Sequence, residues 1–253
     1  MTTQPRDPNR VRFGPASLWA AKNSILTPQE SADTRKRWSM ETPATFRILD
    51  PLIPGGATVL DYGSGVGRII RALGAKRSDL RFLYVDAAPE MAKKARKHLG
   101  PRIARRTRFI LFKDPDSFRR AVRANSVDFI ISIFVLQHVY KPWVTDLIDS
   151  FYRILAPGGK LFLLNMHHRA VPVLSPLEAA ARPGKMRDRA VIQAVSRSNP
   201  VKAWTDDGLE IRALVRRRFG NEMSLPFPPK GFPENTPREH FIAIYEKGPP
   251  QAW

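Results

Sequence analysis

The residues best able to do chemistry sit in one stretch, VLDYGSGVGR at 59–68, where Asp61 precedes Gly63, Gly65 and Gly67. Glycines at this density let backbone turn sharply or pass close to a ligand. A phosphate-cradling loop needs Gly-Lys-Ser/Thr at its end, and here Arg68 and Ile69 follow Gly67, so that reading fails. A dinucleotide fingerprint, G-x-G-x-x-G, is met at Gly63 and Gly65 but finds Arg68 where its third glycine belongs. Asp61 separates the remaining possibilities. A carboxylate at the tip of a strand repels a pyrophosphate and favours a ligand that carries an ammonium group. Asp86 lies 23 residues beyond Gly63, at the end of a second apolar run, and suits hydrogen bonds from both hydroxyls of a ribose. These residues describe a nucleoside with a cationic tail and no diphosphate.

Such a loop needs a sheet behind it. Short apolar runs alternate with helical patterns: ATVLDYG, then VGRIIRALGA; RFLYVD, then PEMAKKARKHLG; RFILF, then DSFRRAVRA; VDFIISIF, then WVTDLIDSFYRIL; and finally KLFLLNM. This rhythm predicts an α/β fold, a Rossmann-like doubly wound sheet of about seven strands covered by helices on both faces. APGG reads as the turn that closes the fourth of these helices. Two N-terminal helices are expected before it all, one starting at Thr27-Pro28 and one at Thr42-Pro43. The expected organisation is an N-terminal arm and helices over 1–53, a cofactor-binding core over 54–165, an insertion after strand five over 166–204, and a closing helix and strands over 205–253.

VLDYGSGVGR, YVDAAPEMAKKARKHL, DFIISIFVLQHV and LAPGGKLFLL together resemble the class I S-adenosylmethionine-dependent methyltransferases, and within them the bacterial small-molecule branch. The resemblance covers about residues 54–165. It implies S-adenosylmethionine as cofactor. Gly63, Gly65 and Gly67 would lie against it, Asp61 would orient its amino group, and Asp86 would hold the ribose diol. Ala87 and Met91 would border the adenine. Asp114 would accept the adenine amino group, with Asp116 competing for that role and a helix cap as the alternative for Asp114. Ser132, at the end of strand four, is also placed at the cofactor.

Methyl transfer needs alignment of the acceptor and, where a proton must leave, a base. His138, beyond strand four, and His167, beyond strand five, are the candidate bases. Packing is the alternative role for His138. Asn165, His168 and Arg169 are candidate acceptor contacts. The N-terminal helices would close over the cofactor, which makes Trp38, Thr42 and Phe46 candidate walls. His167 and His168 are adjacent on an extended chain and point apart, so no metal is expected. The chain lacks cysteine, which excludes a cytosine-C5 nucleophile, and SIFV at 132–135 is not the block of amino-methylating DNA enzymes. The expected acceptor is oxygen or nitrogen of a small molecule.

Composition adds one open question. The 253 residues carry a formal charge of +19, and residues 68–125 alone hold 17 Lys or Arg against 5 Asp or Glu. That density fits either a solvated arginine-rich surface or one that attracts nucleic acid or an anionic surface. No apolar run is long enough to span a bilayer, and a cytoplasmic location is expected.

Overall fold

The computed structural model describes residues 28–112, 115–136, 139, 141–165, 207–232 and 241–248. A long helix α1 (Pro28–Leu49) and a short 3-10 turn lead to β1 (Thr58–Tyr62). Then follow α2 (Arg68–Lys76), β2 (Arg81–Asp86), α3 (Pro89–Ala104), β3 (Thr107–Leu111), α4 (Pro115–Ala121) and β4 (Val127–Ile133). The chain goes on through α5 (Lys141–Ile154), β5 (Leu155–Asn165), α6 (Asp207–Phe219), β6 (Met223–Leu225) and β7 (Phe241–Glu246). The sheet has seven strands in the order β3-β2-β1-β4-β5-β7-β6. Strands β1 to β5 are parallel, whereas β7 runs antiparallel to β5 and β6 antiparallel to β7.

The apolar runs explain the layers. Leu60, Ile130 and Leu163 share a face with α4, α5 and α6, where Phe118, Phe151 and Val215 pack. Val59, Phe129, Ile131 and Phe162 turn to the other face, against Ala44 of α1, Ile70 of α2 and Leu99 of α3. Central strands are therefore covered twice, which is why VDFIISI reads as unbroken hydrophobicity. Strand order reverses between β1 and β4. The crevice at their carboxyl ends is where such sheets bind ligands, and the glycine loop opens into it.

Two local expectations are corrected. The two N-terminal helices are one: α1 runs through Pro43 without ending. Proline there forfeits the bond to the carbonyl four residues back and crowds that carbonyl with its ring. The burial of Ala44, Thr45 and Leu49 holds the helix across that gap. The APGG segment is not only a turn, because β5 begins at Leu155. Leu155 pairs with Val127, the register shifts before Phe129, and the Gly158 and Gly159 backbones bond to Lys247 beyond β7. In α3, Gly100 has φ +69° and breaks the helix into two pieces, in keeping with a glycine at the end of the first.

Candidate functional site

Asp61 and Asp86 stand at the carboxyl ends of neighbouring strands. Asp61 is 4% exposed and accepts a hydrogen bond from Ser64 Oγ at 2.5 Å. Burial pushes its carboxyl up to about 6, although Ser64 and the nearby Arg68 guanidinium pull it down. Asp86 accepts the Gly65 amide at one oxygen and the Ala88 amide at the other, both at 2.8 Å. Burial raises its carboxyl too, opposed by those backbone N–H groups. Tyr84 Oη donates to the Gly65 carbonyl at 2.7 Å. The Gly65 residue is thus pinned at both its N–H and its C=O by side chains of β2, so the loop is built before any ligand arrives.

The three glycines do different things. A Cβ on Gly63, at φ +72°, would come within 2.4 Å of Val135, and one on Gly67 within 3.2 Å of Leu99. Those two make room for the protein's own side chains. Gly65, at φ +55°, has nothing within 4 Å of a Cβ position. It faces open space beside both carboxylates, and it alone of the three offers bare backbone to a ligand.

Helix α1 covers this loop through Arg68. That side chain donates to Thr42 Oγ1 at 3.0 Å, lies 3.7 Å from the buried Glu41 carboxylate and sits over the Trp38 ring at 5.7 Å. A cation at the first turn of α2 opposes the helix dipole, so its place there is set by α1 rather than by α2. Trp38 and Thr42 thus meet the first residue of α2, whereas Phe46 packs against the core. Ala87 is half-buried, and Met91 is buried in the first turn of α3 outside both core clusters.

At the ends of β4 and β5 the polar groups are unspent. Ser132 and Asn165 are fully buried, and among the described residues Ser132 Oγ, Asn165 Oδ1 and Asn165 Nδ2 have no hydrogen-bond partner. Burial without a partner costs roughly 1–3 kcal/mol per group, so these atoms call for a ligand or water. Alternation puts both side chains on the sheet face of Ile130 and Leu163. Just beyond β4, Phe134 has φ +57°, an unfavourable conformation for a bulky residue, and its N–H bonds to the Leu164 carbonyl. No sequence signal marked Phe134 or Tyr84, since strain and long-range bonds leave no local pattern. Arg68 was visible only as a failed glycine.

Asp114, His138, His167, His168 and Arg169 lie outside the described residues. Asp116 is exposed and paired with Arg119 at 2.9 Å. Among the described residues no group of three or more His, Asp or Glu is placed to hold a metal. No helix among them is long and apolar enough to cross a membrane.

Residues 60–161 match the family described as methyltransferase domain. The match covers less than half of the chain, and the fold around it is the one that class I S-adenosylmethionine-dependent methyltransferases share. A curated relative, the ubiquinone biosynthesis O-methyltransferase of Xanthomonas oryzae pv. oryzae, is 33% identical over 112 residues. That match spans 44% of each protein, so the chain covers less than half the length of this relative. Solved structures agree in fold. A SAM-dependent methyltransferase from Aquifex aeolicus superposes with a TM-score of 0.55 at 14% identity, over 96% of this chain and 99% of its own. The Haemonchus contortus phosphoethanolamine N-methyltransferase 2, solved with S-adenosyl-L-methionine, gives 0.53 at 15% identity, over 78% and 50%.

Proposed function

We propose that the methyltransferase domain serves an enzyme that transfers a methyl group to an oxygen or nitrogen of a small molecule, without a metal ion. One observation carries the reading: a buried carboxylate, Asp61, and a half-buried one, Asp86, flank a preformed glycine whose backbone faces open space. Bound S-adenosylmethionine would supply an activated methyl on a sulfonium. Asp61 is the partner for its ammonium group, since a buried carboxylate with a raised pKa gains most from an adjacent cation. Asp86 retains a lone pair on each oxygen after accepting from Gly65 and Ala88, enough for two ribose hydroxyls. Ala87 and Met91 border the adenine.

Acceptor chemistry falls to β4 and β5. Asn165 offers an unspent donor and an unspent acceptor, which fits a neutral hydroxyl or amide better than an anion. The relative that methylates oxygen in ubiquinone biosynthesis supports an oxygen acceptor. His138 is proposed to take the proton that a hydroxyl gives up, with His167 as the second candidate. His168, Arg169 and Trp38 are proposed acceptor contacts.

Calorimetry with S-adenosylhomocysteine, NAD and ATP tests the cofactor assignment. Saturation by the sulfur nucleoside alone is expected, and saturation by NAD or ATP instead would overturn it. Transfer of labelled methyl to a panel of phenols, amines and sugars, with and without EDTA, tests the rest. Turnover that EDTA abolishes would remove the metal-free reading.

A further inference from the structure

The amino ends of the strands, at the opposite edge of the sheet from the glycine loop, carry a second feature. An open concavity of about 740 Å³ is lined by Arg108 of β3, Arg119 and Arg120 of α4, Arg123 in the following turn, and Arg153 of α5. Among the described residues no acidic side chain lines it. Part of this charge is structural. Arg108 donates to the Ala121 carbonyl, and Arg153 donates to the carbonyls of Arg119 and Val122, so two guanidiniums cap the end of α4. Arg119 pairs with Asp116, both largely exposed, which neutralises little.

The remainder has no internal use. Arg120 and Arg123 are exposed. The Arg153 Nε is buried without an acceptor. Arg102 and Arg105, exposed just before β3, extend the positive charge at the same end of the sheet.

We propose that this concavity docks a nucleic-acid duplex through its phosphate backbone. Guanidiniums match closely spaced phosphate oxygens, and the Asp116 carboxylate paired with Arg119 stands exposed at the margin. A single strand would need exposed aromatic rings to stack its bases. Phe109 of β3 lies beneath Arg96 at 3.8 Å, and among the described residues no aromatic ring lines the concavity. An acidic protein partner would need an apolar or aromatic centre, and Leu111 is the one exposed large hydrophobic residue of β3. Because the site lies at the far edge from Gly65, it anchors the duplex and does not present it for methylation. The proposal is independent of the acceptor assigned above.

The test is fluorescence anisotropy of the full chain with labelled RNA and DNA duplexes of mixed sequence, titrated with salt. Binding is expected to weaken steeply with salt. The double variant R120E/R123E, which removes no bond to backbone, should lose at least about tenfold in affinity and flatten the salt slope by about 2. Its melting temperature and its affinity for S-adenosylhomocysteine should not change. Unchanged duplex affinity in that variant would overturn the proposal. So would tighter binding to single strands, or a loss seen only with phosphatidylserine vesicles. The S-adenosylhomocysteine measurement separates failure here from failure of the cofactor reading.

Discussion

The two edges of the sheet treat their polar groups in opposite ways. At the amino edge cations are largely consumed by backbone carbonyls. Arg106 alone donates to the carbonyls of Gly74, Arg77, Ser78 and Leu80. Arg77 takes those of Ile53 and Pro54, and Lys247 takes that of Leu155. At the carboxyl edge the reverse holds: Ser132 and Asn165 are buried without partners among the described residues, and Asp61 is held at a raised pKa. Satisfied polar groups at one edge fasten turns and helix ends. Unsatisfied ones at the other keep free-energy cost in reserve for a ligand to relieve.

The largest expected effect is at the satisfied edge. Arg106→Ala should lower stability by roughly 3–4 kcal/mol, because four carbonyls lose a charged donor at once. Chemical denaturation would measure this, while the folded fraction should bind S-adenosylhomocysteine as before. If stability holds and affinity falls, the division between the edges is wrong. Asp86→Ala should reverse that pattern. Affinity should drop by roughly 2–3 kcal/mol in calorimetry, through loss of the ribose partner and of the Gly65 tether; an unaltered affinity would remove Asp86 from the site.

The third effect depends on pH. The Asp61 carboxyl titrates near 3.8 in the unfolded chain and at about 6 when folded. The folded form therefore holds its proton more tightly, and the free protein loses stability as pH rises between those values. An ammonium placed beside Asp61 favours the ionised form. Affinity for S-adenosylhomocysteine should be flat above about pH 6 and fall about tenfold per unit below it. Asp61→Asn should abolish that dependence, and a slope that persists in the variant would assign it elsewhere. The smallest effect sharpens the comparison most. Asn165→Leu should stabilise the fold by about 1 kcal/mol, since it deletes unpaired buried groups and keeps the branched shape, while turnover falls. A destabilised variant would mean that Asn165 is already satisfied.

Much of this was legible along the chain. The positions of β1, β2 and β4 follow from short apolar runs, and the glycine loop with Asp61 and Asp86 follows from spacing, because each depends on residues close in sequence. The continuity of α1 through Pro43 did not, since Ala44 and Leu49 are held by a core built from distant segments. The start of β5 at Leu155 was hidden for the same reason: its partners are Val127 and Lys247. Of the excess charge, composition gave the size and left its use open between solvent and a partner. The structure shows a third use, in carbonyl caps.

Sequence by itself determined the order of elements and the pair of carboxylates around a glycine loop, because hydrophobic period and glycine spacing are local properties of the chain. Only the tertiary structure decided which of those groups are spent. Whether Gly63 yields to Val135, whether Arg68 reaches Thr42, and whether Asn165 finds a partner all depend on segments that folding alone brings together. Hydrogen bonds and contacts act over a few ångströms in space, whatever the separation along the chain.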